Sequence, residues 1–203
     1  MRFIRRGEEV LPDQLWVADV EAKSLAQAVF PNLPVLQLPN KWIAEMSQAV
    51  ANLRVNPPRQ PARKLLYLLE PIRLCWSGGS WDLEKGELQG VRFWLEKLPV
   101  LAEHGWIAQP EQLEKLILRP HPSEPPGKYD ALISEASQHW PIYLDQSPSL
   151  AAALAWSDIA FGCETQALVA ALACGLPAFS TNPPWAPACR LPHSDLYHLT
   201  SLV

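Results

Sequence analysis

A histidine set between two prolines is the sharpest chemical feature of this 203-residue chain. It lies in Arg119-Pro120-His121-Pro122-Ser123-Glu124, directly after the apolar run Lys115–Leu118. The prolines restrict the backbone on both sides, so His121 is aimed rather than free. An imidazolium there can donate to a phosphate or protonate a leaving oxygen. Arg119 can clamp phosphate or carboxylate oxygens in bidentate fashion, and Ser123 adds a hydroxyl. The structural alternative is a histidine capping a helix that begins near Gly127, with Arg119 in a surface ion pair.

A second set lies in Ser157–Pro177, SDIAFGCETQALVAALACGLP. The spacing predicts a buried strand over 158–161, a turn at Gly162, a helix from about Glu164, and a stop at Gly175-Leu176-Pro177. The first-turn amides of such a helix are unpaired and its dipole favours an anion, so phosphate binding beside Thr165 is natural. Glu164 repels a phosphate and suits ribose or sugar hydroxyls; equally, it complements the helix dipole. A third set, Ser77-Gly78-Gly79-Ser80, lacks the spacing and the lysine of a P-loop. It is read as a glycine-rich turn that can approach a ligand or simply bend the chain. Asp145 and Gln146 read as helix-cap residues. The remaining histidines, His104, His139, His193 and His198, have no partner pattern.

These sets need elements to hold them. Residues 14–18 and 34–38 read as strands, each followed by a helix, over about 20–30 and 42–53. The proline-rich stretch 54–63 (RVNPPRQPAR) reads as a linker. Strands then alternate with helices: strands at 64–69, 115–118, 141–144, 158–161 and 178–180, with helices near 88–98, 129–139, 150–156 and from 164. A tail helix is expected near 195–202. This alternation predicts an α/β fold, a Rossmann-like parallel sheet flanked by helices, preceded by a small N-terminal β-α-β-α segment. The expected domains are 1–53, the linker 54–63, and 64–203. In a parallel sheet, ligands bind beyond the carboxyl ends of the strands, where all three polar sets fall.

Composition narrows the partners. Hydrophobic residues make up 48% and charged residues 19%, as in soluble globular proteins, and no apolar run is long enough to cross a bilayer. The opening MRFIRR lacks an apolar stretch behind its arginines, so a cytoplasmic protein is expected. A net charge of −4 argues against nucleic-acid binding, which needs many cationic phosphate contacts. The four cysteines form no CxxC pair and have no histidine at zinc spacing, so neither a metal nor a cofactor is expected. The 21 prolines fall between predicted elements and stiffen loops rather than mark disorder.

Taken as a pair, LRPHPSE at 118–124 and SDIAFGCETQALVAALACGLPAFS at 157–180 resemble the C-terminal, donor-binding half of GT-B glycosyltransferases that build bacterial capsule and surface polysaccharides. The resemblance covers roughly 64–190, and more weakly 12–52. It implies a nucleotide-sugar donor, with His121 and Arg119 at the departing phosphate. Ser123, Gly162, Glu164, Thr165, Gly78 and Gly79 would contribute to the donor site. The family often has paired hydroxyl residues where this chain has Glu164-Thr165. Only two β-α units precede the linker, which leaves a second subunit or a separate N-terminal half as an expected partner, and peripheral membrane contact open. A non-catalytic partner module that keeps the fold is the alternative, and a sugar-nucleotide epimerase a third, less favoured one.

Overall fold

The computed structural model describes residues 4–5, 8–9, 11–78 and 84–202. The chain divides into two compact units, Met1–Ala44 and Glu45–Val203. In the first, β1 (Ile4–Arg5) and β2 (Glu8–Glu9) pair antiparallel. β3 (Leu15–Val17), α1 (Val20–Val29) and β4 (Val35–Gln37) form a β-α-β unit in which β3 and β4 run parallel and Trp16 lies opposite Leu36. Asp19 caps α1, its carboxylate accepting from the Ala22 N–H at 2.7 Å. Helix α2 (Lys41–Leu53) begins in this unit and continues into the second.

The second unit is built on a six-stranded sheet. Its strands are β5 (Lys64–Leu68), β6 (Lys115–Arg119), β7 (Ile142–Leu144), β8 (Ile159–Gly162), β9 (Ala178–Ser180) and β10 (Leu196–His198). They lie in the order β10-β9-β8-β5-β6-β7, every pair parallel. Counted from β5, this is the 3-2-1-4-5-6 order of Rossmann sheets. The connecting helices are α3 (Gly86–Glu103), α4 (Asp130–Ala136), α5 (Leu150–Trp156) and α6 (Gln166–Ala173). The chain is thus an α/β protein with a Rossmann-like parallel sheet and a small two-stranded parallel sheet before it.

The central strands read as unbroken apolar runs because both faces are covered. Helix α3 lays Val91, Trp94, Leu98 and Leu101, spaced three and four apart, onto one face. There Trp94 meets Tyr67 and Phe161 at ring distances of 4.9 and 5.3 Å, and Phe161 stacks on Phe179 at 5.6 Å. Residues 59–64 are fastened to the sheet by buried Asp158, whose carboxylate accepts from the N–H groups of Arg59, Arg63 and Lys64 at 3.0–3.1 Å.

Two elements of the second unit differ from expectation. The tail is not a helix: 196–198 form an edge strand, followed by a 3-10 turn at Leu199–Ser201. Leu196 is buried while the Tyr197 ring, on the other face, stacks on Phe179 at 5.1 Å. A period of two on a sheet edge therefore overrides helical propensity. Helix α6 starts at Gln166 rather than near Glu164, because Thr165 is its cap.

Candidate functional site

Connections from β5 run outward through β6 to β7, and the chain then returns to place β8 on the other side of β5. The switch point is therefore the carboxyl end of β5 and β8, where parallel sheets open a crevice. Leu69 and Glu70 leave β5 there; Cys163, Glu164 and Thr165 leave β8. Gly162 is pressed against β5: a Cβ at this position would lie 2.8 Å from the Leu68 carbonyl oxygen.

Glu70 dominates the crevice, and sequence reasoning passed over it. Its Oε1 accepts from the Glu164 N–H at 2.5 Å, where the turn enters α6. Burial raises its pKa; the Glu164 N–H and Arg190 pull it back, while the carboxylates of Glu164 and Glu87 push the same way as burial. The Glu164 side chain points the other way, accepting from Arg190 Nε at 2.7 Å and from the Arg190 backbone N–H at 3.1 Å. The Thr165 hydroxyl accepts from the Ala167 N–H at 3.3 Å. Glu70 therefore holds the amide just before the cap of α6, and the Thr165 hydroxyl holds one inside its first turn.

The start of α3 repeats the pattern. Glu87, in its first turn and 1% exposed, pairs with Lys128, which also pairs with Glu124. The Tyr129 hydroxyl donates to Glu87 Oε2 at 3.2 Å. Partial burial lowers the Lys128 pKa, but its two carboxylate partners outweigh this and hold it above the usual lysine value. Burial raises the Tyr129 hydroxyl, and Glu87 adds to the effect. Beneath α3, the Tyr67 hydroxyl lies 2.7 Å from Thr181 Oγ1 and 3.5 Å from Cys163 Sγ. Burial pushes the Cys163 thiol up to about 12, so it is no nucleophile at neutral pH.

His121 stands on an exposed turn closed by the Glu124 N–H donating to its carbonyl at 2.9 Å. Its Nδ1 accepts from the Ser123 backbone N–H at 3.2 Å, with Ser123 Oγ at 2.8 Å. The neutral ring therefore carries its proton on Nε2, which is left to act as a donor. Arg119 is drawn toward the neighbouring strand, where Asp145 forms an ion pair with it and also accepts from the Ser147 N–H at 2.8 Å. β6 and β8 flank β5, so the strand ends Arg119 and Gly162, from which the His121 and Glu164 turns leave, lie about 10 Å apart, two strand spacings.

Gly162, Glu164 and Thr165 thus share one turn with Glu70; His121 and Ser123 share a second; Arg119 belongs to a third cluster with Asp145. Gly78, at φ +111°, sits against Trp185, with 3.4 Å from its would-be Cβ to the Trp185 Cβ; Gly79 lies outside the described residues. Trp185 itself packs edge-on against Phe93 and donates from Nε1 to buried Gln89 at 2.7 Å. Glu70 was readable in principle, as a carboxylate directly after the apolar run KLLYLL. Glu87 left a fainter trace, a carboxylate in phase with the apolar stripe of α3, whereas Gln89 lies on another face and is buried by the loops that carry Trp76, Glu84 and Trp185.

A cavity of about 520 Å³ opens on this same edge, lined by Asn182, Cys189, His198 and Thr200 among others. A roomier one, about 770 Å³, lies at the opposite, amino edge beside Arg59, Lys64 and Trp156. The smaller cavity lies at the ends of β9 and β10, and neither cavity is lined by Glu70, His121, Ser123 or Gly162–Thr165. No protein-family model matches the chain, and no curated protein matches it either. Fold and site together define a Rossmann-like α/β domain with Glu70 and Glu164 at the switch point of its sheet.

Proposed function

We propose that the second unit binds a nucleotide-sugar donor at its carboxyl edge, and that the protein is a glycosyltransferase-like member of surface-polysaccharide assembly. One observation carries the reading: β6, β5 and β8 are adjacent, so His121 with Ser123, Glu70, and Gly162–Thr165 all open onto one edge. In this reading the His121 Nε2–H donates to the donor phosphate, and Glu70 and Glu164 accept from ribose or sugar hydroxyls. Arg190, exposed and paired with Glu164, turns to a phosphate oxygen once the sugar engages that carboxylate. The reaction is displacement at the anomeric carbon: its bond to the phosphate oxygen breaks, a bond to the acceptor oxygen forms, and the acceptor proton passes to a base.

A non-catalytic donor-binding or partner module is the second reading. The side chains assigned to catalysis and phosphate binding already have partners within the chain: Arg119 in Asp145, Thr165 in its helix cap, Ser123 in His121. Calorimetry with CMP-, UDP-, GDP- and CDP-sugars tests donor binding, and release of nucleoside phosphate separates the two readings. Binding tighter than about 1 mM by one of the donors is expected; none binding overturns donor binding and with it the first reading.

A further inference from the structure

The cavity of about 770 Å³ at the amino edge of the sheet plays no part in the donor reading. Its size is that of a small-molecule site, which ranges over ~300–1,000 Å³. The end of α2 and the segment after it form one wall, where Leu53 and Val55 stand 53% and 91% exposed. Helix α5 supplies another. There Ala152 and Ala155, three residues apart and so on one helix face, are too small to fill the space, and half-buried Trp156 adds its indole. Apolar side chains left in water beside unfilled space gain when an apolar ligand covers them.

The charges around this cavity are unequally engaged. Asp158, its side chain 6% exposed, already accepts from the N–H groups of Arg59, Arg63 and Lys64. Arg59 grips Glu114 through both terminal nitrogens, at 2.6 and 3.1 Å. The half-buried Lys64 ammonium, 5.6 Å from the centre of the Trp156 ring, has no ion pair among the described residues. The charged side chains lining the cavity are therefore two cations and one occupied carboxylate, in a chain whose net charge is −4. We infer that this cavity binds a small organic acid, its carboxylate on Lys64 and its apolar body against Leu53, Val55, Ala152 and Ala155. The inference is independent of donor binding, which is assigned to the opposite edge of the sheet.

Amide and indole chemical shifts of the labelled full chain, titrated separately with 2-naphthoate and with decanoate, test this and tell an aryl body from an acyl one. At least one acid is expected to bind with a Kd of ~1 mM or tighter, shifting Val55, Lys64, Ala155 and the Trp156 indole. Lys64→Met keeps the stem and removes the charge, and should weaken binding about tenfold. Ala155→Phe fills the space without touching a charge and should abolish binding. Val55→Asp, at a side chain almost wholly in water, sets a like charge beside the carboxylate and should weaken binding while leaving the core untouched. Neither acid binding below ~10 mM, shifts centred elsewhere, or a Kd unchanged in Lys64→Met or in Val55→Asp overturns the inference.

Discussion

Gly90 tests how closely α3 lies on the strands that end at the crevice. A Cβ at this position would stand 2.4 Å from Cys163 Sγ, 3.0 Å from the Tyr67 hydroxyl and 3.6 Å from Thr181 Oγ1. In an exposed helix, Gly→Ala would stabilise by about 1 kcal/mol. Here the thiol is buried among Tyr67 and Thr181 and has no free direction in which to retreat. Overpacking costs about 1–3 kcal/mol, and disturbing the Tyr67–Thr181 hydrogen bond adds about 1. Gly90→Ala should therefore lose about 2 kcal/mol net, lowering Tm by roughly 4–8 °C in a chain of this size. Cys163→Ala removes the obstructing sulfur, so the double variant should recover most of the loss, with a coupling of about 1–3 kcal/mol in urea titrations. A neutral or stabilising Gly90→Ala, or strictly additive single effects, would refute this packing.

Three further outcomes follow from the same structure. Asp145 is almost fully buried beneath Arg119, so Asp145→Ala should cost about 3–5 kcal/mol in urea titrations by stranding the guanidinium; a loss below 1 kcal/mol would mark the pair as a surface contact. Glu70, its pKa raised by burial, binds its proton more tightly folded than unfolded, so its contribution to stability is full below the unfolded value near ~4.3 and is lost as pH rises through the folded value. Glu70→Gln should then match the wild type in acid and exceed it at neutral pH in melts across that range; a variant less stable at neutral pH contradicts the assignment. His121→Ala should weaken donor binding without moving Tm, because the ring's hydrogen bonds to Ser123 stay within its own turn.

The sheet was legible because its strands announce themselves: KLLYL and IAFG have no polar side to show, and turns or prolines bound them. The Gly162–Thr165 turn was legible for the same reason, as the point where a buried strand empties into a helix. Contacts set by strand order were not. Glu70 meets residue 164 only because β8 returns to lie beside β5, and Arg119 meets Asp145 only because β6 neighbours β7. Local sequence carries neither pairing. The tail misled because Leu196, Tyr197 and Leu199 suit a short helix as well as a strand until β9 offers an open edge.

Where a donor binds is the direct test of the central claim. An amide chemical-shift map of the labelled chain, titrated with whichever nucleotide-sugar binds, reads the location without assuming turnover. The account predicts shifts concentrated at Glu70, His121–Ser123, Gly162–Thr165 and Arg190, all weakened in His121→Ala. Shifts confined to the amino edge, around Arg59, Lys64 and Trp156, would place the ligand in the roomier cavity and contradict it.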